Sequence, residues 1–190
     1  MNKAVFFDKD GVLNSDKGFN KNWNTVELYK GVGDTIKYLR GLGFKIFVIT
    51  NQTVIARGLL KEEELKKTLR TFESLILDQN KDATIDKIYY CPHHPNADVG
   101  SYRGDCDCRK PKPGMLINAS KEFNVDLKSS FMVGDRISDV IAGHLAGCIT
   151  VQCQTGKHND DMIETSLDVS SEIKPDYVIN KLEELKNIIR

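Results

Sequence analysis

Short apolar runs alternate with longer amphipathic segments along this chain of 190 residues. The apolar runs are rich in β-branched and aromatic residues and predict buried strands, at residues 3–7, 44–50, 85–90, 130–133, 149–152 and 176–179. Apolar positions that recur at helical spacing predict helices, at residues 31–42, 61–79, 114–123, 138–146 and 182–189. This alternation is typical of an α/β fold: a Rossmann-like, doubly wound, mainly parallel sheet with helices on both faces.

Polar residues stand where several of the predicted strands end. Asp8, Thr50, Cys91 and Gly134-Asp135 follow different apolar runs directly. Because ligands of parallel α/β sheets bind beyond the carboxyl ends of the strands, we expect a binding site there. No internal repeat or linker divides the sequence, so we expect one domain over residues 1–190, with no large cap domain.

Acidic and basic residues balance, with 27 Lys and Arg against 27 Asp and Glu. This balance argues against a protein that binds nucleic acid or a membrane surface through bulk charge. The sequence has no apolar run long enough to cross a membrane, and the first run, at 3–7, is too short for a signal peptide. We therefore expect a cytoplasmic protein without a nucleic-acid or membrane partner, and we expect a monomer.

The segment Asp8-Lys9-Asp10-Gly11-Val12 places two carboxylates at the exit of the first predicted strand. At this spacing one carboxylate can attack a substrate while the other handles protons. Similar segments also occur in acidic turns and in calcium-binding loops. The EF-hand pattern fails, because its fifth and twelfth positions would hold Val12 and Phe19, whose side chains lack oxygen.

Three further segments could handle a phosphate group or a cation. Thr50-Asn51-Gln52 ends the second strand, Arg109-Lys110 comes shortly before a predicted helix, and Asp135 follows a later strand with Asp139 four residues on. Fixed cations and backbone N–H groups favour an anion, and acidic side chains favour a cation. Each segment also has a simpler interpretation: a polar strand end, a solvated basic turn, and a helix capped by Ser138 and Asp139.

Three of the five cysteines lie close together in the sequence, in the segments Cys91-Pro92-His93 and Cys106-Asp107-Cys108. Three thiolates and one imidazole form a tetrahedral zinc site without an open position, which makes the metal structural. We therefore predict a zinc-pinned loop insertion at about 91–108, with four ligands: Cys91, His93, Cys106 and Cys108. His94 is the alternative histidine ligand.

Taken together and in this order, the four polar motifs resemble those of the haloacid dehalogenase (HAD) superfamily, most of whose members are phosphatases. The resemblance implies that Asp8 is the nucleophile, which forms an aspartyl-phosphate, and that Asp10 is the acid/base. It implies that Thr50 and Lys110 stabilise the phosphoryl group. It also implies a catalytic Mg²⁺ bound by Asp8, the backbone carbonyl of Asp10, and Asp135, with Arg136 adjacent.

The zinc loop narrows the resemblance to a subgroup, the heptose 1,7-bisphosphate 7-phosphatases and the related histidinol-phosphate phosphatases. The segments Tyr89–Pro95 and Cys106–Met115 look more like the former. Val54 stands where this subgroup usually has glycine. The resemblance implies that several residues contact the substrate: Asp16, Lys17, Gly18, Phe19, Asn51, Gln52, Thr53 and Arg109.

The expected activity is removal of the 7-phosphate of D-glycero-D-manno-heptose 1,7-bisphosphate, during synthesis of a nucleotide-activated heptose for lipopolysaccharide or another surface glycan. Histidinol-phosphate phosphatase is the second enzymatic hypothesis. A phosphoacceptor signalling receiver is a hypothesis of a different class, as is a non-catalytic zinc module. In receivers the phosphorylated aspartate usually follows the third strand, where this chain has Cys91.

Overall fold

The structure is a computed structural model that describes residues 1–16, 26–157 and 173–190. Its strands are β1 (Ala4–Phe7), β2 (Lys45–Asn51), β3 (Lys87–Cys91), β4 (Phe131–Gly134), β5 (Ile149–Cys153) and β6 (Tyr177–Ile179). Its α-helices are α1 (Val32–Gly41), α2 (Thr53–Ala56), α3 (Glu62–Gln79), α4 (Gly114–Phe123), α5 (Ile137–Ala146) and α6 (Leu185–Ile188).

Within the described residues the strands form one sheet in the order β3-β2-β1-β4-β5-β6. Every neighbouring pair is parallel. The expected α/β fold with a doubly wound parallel sheet is thus confirmed. All strands end at the same side of the sheet, which we call the carboxyl edge; the opposite side is the amino edge.

The central strand β1 is buried on both faces of the sheet. Val5 and Phe7 belong to one core, which includes residues of α1 and α3, while Ala4 and Phe6 belong to a second core with residues of α4. Phe6 stacks on Phe47 of β2 with ring centroids 5.2 Å apart. A continuous apolar strand of this kind is typical of a parallel sheet that is covered on both faces, and it fixes the position of the residue that follows it, Asp8.

One predicted helix needs correction, and two features of local structure were not predicted. The closing helix predicted at 182–189 is a 3-10 turn at Leu182–Glu184 followed by the single turn α6. The short helix α2 was not predicted, because four residues are too few to show a helical period. The loop after β3 contains a 3-10 turn at Gly100–Tyr102 that was not predicted, and the N–H groups of Asp98 and Val99 both donate to the carbonyl of Ala56.

In the part of the chain that the structure describes, none of the helices is both long and apolar enough to traverse a lipid bilayer.

Candidate active site

Asp8 begins the loop that follows β1, and its side chain meets Lys110. The backbone N–H of Asp8 donates to the carbonyl of Val133 in β4 at 2.8 Å, which ties the start of the loop to the sheet. The Lys110 ammonium lies 2.5 Å from Asp8 Oδ1 and 2.6 Å from Asp139 Oδ1, and it donates to the carbonyl of Ile49 at 2.9 Å. All of these side chains are buried, so the ammonium is held by fixed partners rather than by water.

Three carboxylates meet at this point of the carboxyl edge. One oxygen of each of Asp8, Asp135 and Asp139 lies within 4.8 Å of the others. With Lys110, which contacts two of them, the ionised group carries two more negative charges than positive ones. Such an excess is costly in a buried site unless another cation joins it.

The pKa values of these buried groups reflect the same excess of negative charge. Burial raises the pKa of Asp8 well above its usual range, Lys110 opposes this, and the neighbouring carboxylates add to it. Burial and Asp139 raise the pKa of Asp135 to about 6. Burial by itself would lower the pKa of Lys110, but Asp139 and Asp8 outweigh it and raise the pKa, so Lys110 stays charged.

The residues present fit a hard divalent cation. Asp135 Oδ2 accepts a hydrogen bond from the backbone N–H of Lys157 at 2.6 Å, whereas its buried Oδ1 has no hydrogen-bond partner among the described residues. Carboxylate oxygens with excess negative charge are the ligands that Mg²⁺ prefers. The side chains that converge are those of Asp8, Asp135 and Asp139; the carboxylate of Asp10 points elsewhere.

Asp10 occupies a more open position than Asp8. Its Oδ1 accepts hydrogen bonds from Lys9 Nζ at 2.6 Å and Asn14 Nδ2 at 2.9 Å, and its Oδ2 accepts one from Gln52 Nε2 at 3.3 Å. The side chain of Asp10 is 36% exposed, against 10% for that of Asp8. One carboxylate of the pair is therefore fixed and enclosed, while the other reaches solvent and can exchange protons.

The three residues at the end of β2 do different things. Thr50 is buried and its hydroxyl accepts a hydrogen bond from Gln52 Nε2 at 2.8 Å, so Gln52 bridges Thr50 and Asp10. Asn51 holds the backbone of Lys110 on both sides: its Nδ2 donates to the Lys110 carbonyl at 3.0 Å and its Oδ1 accepts from the Lys110 N–H at 3.1 Å. This pair of bonds joins the segment that carries Lys110 to the end of β2.

Arg109 lies beside the start of α2. Its Nη1 donates to Thr53 Oγ1 at 3.3 Å and to the carbonyl of His93 at 3.1 Å. The guanidinium is therefore positioned by the loop after β3 and by the residue that opens α2. Val54, the next residue of α2, is buried in a small apolar cluster with Ile55.

Asp16 lies beside two cations. Its Oδ2 is 2.9 Å from Lys157 Nζ and 3.4 Å from Arg136 Nη2. Arg136 precedes α5, and its N–H donates to Asp139 Oδ2 at 3.0 Å, so Asp139 caps the helix as well as pairing with Lys110. Three other residues expected to contact the substrate lie outside the described residues: Lys17, Gly18 and Phe19.

The four predicted zinc ligands come together at the end of β3. The Cys108 sulfur lies 3.1 Å from that of Cys91 and 3.3 Å from that of Cys106, and the Cys91 and Cys106 sulfurs are 3.5 Å apart. His93 Nδ1 is 3.8 Å from the Cys91 sulfur and 3.5 Å from the Cys108 sulfur. Sulfurs bound to one tetrahedral zinc at about 2.3 Å would be about 3.8 Å apart, so the group is nearly of the right size.

The three cysteines of this cluster form no disulfide bond. Hydrogen bonding with Cys91, and then with Cys106 and His93, lowers the pKa of Cys108 to about 5. The donor set of three sulfurs and one imidazole nitrogen fits zinc. His94 is not part of the cluster; it is buried, and its Nδ1 accepts a hydrogen bond from the N–H of Asn96 at 3.0 Å.

Some members of the site were not predicted as such. Asp139 was predicted only as a second acid or a helix cap, although its spacing from Asp135 was the available signal. Lys9 and Asn14 hold Asp10, and the signal for Lys9 was its place between two carboxylates. The contact of Lys157 with Asp135 carries no sequence motif at all.

Comparisons with known proteins agree with this geometry. A HAD-hydrolase-like family model matches residues 107–185. The chain is 39% identical to the D-glycero-β-D-manno-heptose-1,7-bisphosphate 7-phosphatase of Haemophilus ducreyi, over 96% of both chains. It is 37% identical to the Escherichia coli K12 enzyme of that name, over 98% of this chain and 93% of that one. The chain belongs to this family of HAD-like hydrolases.

Solved structures agree with the family. The D,D-heptose 1,7-bisphosphate phosphatase from B. bronchiseptica, complexed with magnesium and phosphate, superposes with a TM-score of 0.78 at 29% identity, covering 98% of this chain and 99% of that one. A HAD-like phosphatase structure from Mesorhizobium loti superposes with a TM-score of 0.80 at 24% identity, covering 98% and 84%, and so supports the fold. The resemblance to HAD phosphatases that the motifs indicated is confirmed.

Proposed function

We propose that this protein is a phosphatase that removes the 7-phosphate of D-glycero-β-D-manno-heptose 1,7-bisphosphate. The observation that carries the chemistry is the pairing of a buried carboxylate, Asp8, with Lys110, next to a more exposed carboxylate, Asp10. The names of the full-length relatives support the sugar and its β configuration.

In the proposed reaction, Asp8 attacks the phosphorus atom of the 7-phosphate. The bond between phosphorus and the sugar oxygen breaks, and Asp10 gives that oxygen a proton. Asp10 then takes a proton from the water that attacks the aspartyl-phosphate, so that phosphate leaves and Asp8 is restored. Asp10 suits both steps, because its side chain is partly exposed and lies in reach of solvent.

The remaining residues stabilise charge and fix positions. The Lys110 ammonium neutralises charge on the transferred phosphoryl group, and the Thr50 hydroxyl donates to one of its oxygens. Asp139 and Asn51 hold Lys110 in place from opposite ends of that residue. The substrate-contacting residues are proposed as Asp16, Lys17, Gly18, Phe19, Asn51, Gln52, Thr53 and Arg109.

Two metals complete the proposal. Asp8, Asp135 and the backbone carbonyl of Asp10, beside Arg136, would hold Mg²⁺, which supplies positive charge at the phosphoryl oxygens when bound. Cys91, His93, Cys106 and Cys108 would hold a structural Zn²⁺ that fixes the loop at 91–108. Since Arg109 and Lys110 directly follow Cys108, the same loop sets the position of the two cations that face the substrate.

The cellular setting follows from this activity. We propose a cytoplasmic, monomeric enzyme, with residues 1–190 as one domain, that acts on a small sugar phosphate without a nucleic-acid or membrane partner. Its product would continue toward a nucleotide-activated heptose for lipopolysaccharide or another surface glycan.

The direct test is ³¹P NMR of the purified enzyme with Mg²⁺ and four substrates: the α and β anomers of the heptose bisphosphate, histidinol phosphate, and a small aryl phosphate. We expect the 7-phosphate resonance of the β anomer to disappear while the 1-phosphate resonance stays. Loss of the 1-phosphate, or a higher kcat/KM for histidinol phosphate, would contradict the proposed substrate. Hydrolysis of none of the four would contradict a phosphatase altogether.

A further inference from the structure

The turn after β5, residues Thr155–Lys157, packs against the loop that follows β1. Thr155 Oγ1 donates a hydrogen bond to the carbonyl of Gly11 at 2.6 Å, and the Tyr29 hydroxyl donates to the carbonyl of Thr155 at 3.0 Å. These two bonds fix the turn at the carboxyl edge from two sides. At its end, the N–H of Lys157 donates to Asp135 Oδ2 at 2.6 Å.

Two glycines enclose the Asp135 carboxylate. A Cβ on Gly156 would lie 2.2 Å from Asp135 Oδ2, and a Cβ on Gly11 would lie 2.3 Å from the same atom. Distances this short are incompatible with any side chain unless Asp135 moves. Asp135 is itself 0% exposed, so it has little room to move. The backbones of two separate loops therefore set the orientation of this one carboxylate.

The two oxygens of that carboxylate differ in their surroundings. Oδ2 is held by the Lys157 N–H, whereas Oδ1 is buried without a hydrogen-bond partner among the described residues. We propose that the turn Thr155–Lys157 is a positioning element that fixes Asp135 by one oxygen and presents the other to the divalent cation. This inference rests on the proposed function, because it assumes that Asp135 is a metal ligand.

The contact comes from the Lys157 backbone and not from its side chain. Lys157 Nζ lies 2.9 Å from Asp16 Oδ2 and so is engaged elsewhere. The two parts of Lys157 can therefore be tested separately: Lys157→Met removes the ammonium and keeps the N–H, whereas Gly156→Ala disturbs the N–H contact and keeps the ammonium.

The experiment is a titration of the protein with Mn²⁺ in the absence of substrate. Electron paramagnetic resonance measures how much of the Mn²⁺ is bound. Partners that orient a metal ligand typically change metal affinity by about 10- to 100-fold when altered. We expect Gly156→Ala to weaken Mn²⁺ binding by at least about tenfold, and Lys157→Met to leave it close to wild type. Gly41→Ala is the matched control, since a Cβ there meets no atom within 4 Å.

Wild-type affinity in Gly156→Ala would overturn the inference, as would an equal loss in Lys157→Met. If Gly156→Ala does not fold, Thr155→Val decides, because it keeps the shape of Thr155 and removes its bond to Gly11; it should weaken Mn²⁺ binding, and unchanged binding overturns the inference. The titration contains no substrate. A wrong substrate assignment would therefore appear in the NMR assay and leave these affinities unaltered.

Discussion

The two edges of the sheet surround their carboxylates in opposite ways. At the amino edge, Asp86 precedes β3 and accepts hydrogen bonds from the N–H of Ile46 and from the side chains of Arg40 and Lys45. Burial opposes the ionisation of Asp86, but these three donors outweigh it and lower its pKa. Asp176, ahead of β6, likewise has a lowered pKa, because the N–H and hydroxyl of Thr150 donate to it.

At the carboxyl edge, the effects that raise the pKa of a carboxyl group outweigh those that lower it. Asp8 and Asp135 both have raised pKa values, since burial and neighbouring carboxylates outweigh Lys110. At the amino edge, hydrogen-bond donors of the chain stabilise the charged forms of Asp86 and Asp176, and these contacts connect elements of the fold. At the carboxyl edge, the charged forms of Asp8 and Asp135 have too few stabilising partners, so their pKa values are raised. Groups that bind a ligand or take part in catalysis often have such shifted pKa values.

The largest expected effect is a loss of kcat, which we expect for a substitution of Asp8 at the carboxyl edge but not of Asp86 at the amino edge. Asp8→Asn removes the attacking charge and should lower kcat by about 1000-fold or more, or about 4 kcal/mol of barrier. The fold should survive, because the change removes a charge that the site compensates incompletely. Asp86→Asn is the matched control and should keep kcat near wild type. Steady-state kinetics decide: more than about a tenth of wild-type kcat in Asp8→Asn would contradict the covalent mechanism.

The next prediction compares kcat/KM after removal of a cationic side chain at the carboxyl edge, Lys110 or Arg109, and at the amino edge, Arg40. Lys110→Ala should lower kcat/KM for the heptose bisphosphate and for a small phosphate monoester alike, by about 100-fold or more, because both share the reacting phosphoryl group. Arg109→Ala should lower kcat/KM mainly for the bisphosphate, since a guanidinium suits a second phosphate. Arg40→Ala, at the amino edge, should affect neither substrate.

The same kinetic assay supplies the contradicting outcome for Arg109. Equal losses on both substrates would show that Arg109 serves the reacting phosphate or stabilises the fold, since it contacts His93 in the loop after β3 and Thr53 at the start of α2. Its assignment to the distant part of the substrate would then be wrong.

A third prediction concerns the Cys and His cluster at the carboxyl edge. Elemental analysis should find about one zinc per chain, with zinc–sulfur distances of about 2.3 Å by X-ray absorption. Cys106→Ser should lose most of this zinc, lower the melting temperature and reduce activity by loosening the loop that carries Arg109 and Lys110. Cys148→Ala removes a thiol outside the cluster and should keep the zinc. Unchanged zinc content in Cys106→Ser would show that the cluster is not the site.

The smallest expected effect is a loss of stability at the amino edge. Asp86→Asn should lower stability at neutral pH by about 1 to 2 kcal/mol, because hydrogen bonds to a charged group are weakened. Because the pKa of Asp86 is lowered on folding, its contribution is present above the ordinary pKa and is lost as the pH falls through the folded value. The thermal melts of wild type and Asp86→Asn should therefore begin to converge below about pH 4 and coincide only below the lowered pKa of Asp86. A difference that persists at low pH would contradict the charge-based explanation.

The sequence predicted the strands and the polar residues that stand at their ends, because both depend on local patterns. The run ending at Phe7 identifies β1 by composition alone, and a parallel sheet then places Asp8, Thr50 and Asp135 at one edge. The C-x-H and C-x-C spacing likewise predicted four side chains that the structure brings within reach of one another.

Contacts between distant segments could not be predicted in this way. Asp139 reaches Lys110 and Lys157 reaches Asp135 only because different crossovers return to the same edge. Gln52 was expected to contact the substrate, and the structure shows it bridging Thr50 and Asp10, a contact that depends on the direction of its side chain. The single turn α2 lacked a signal, because four residues are too few to show a helical period.

The most direct test of the central claim is the effect of Mg²⁺ on the melting temperatures of three proteins: wild type, Asp135→Asn and Asp86→Asn. A cation at about 100 times its Kd adds about 2.7 kcal/mol, which corresponds to several degrees. We expect this increase in wild type and in Asp86→Asn but not in Asp135→Asn. Without Mg²⁺ at pH 7, Asp135→Asn should melt at or above wild type, since the pKa of Asp135 is raised to about 6 and its ionised form is disfavoured. An equal Mg²⁺ effect in all three proteins, or none in wild type, would contradict the account.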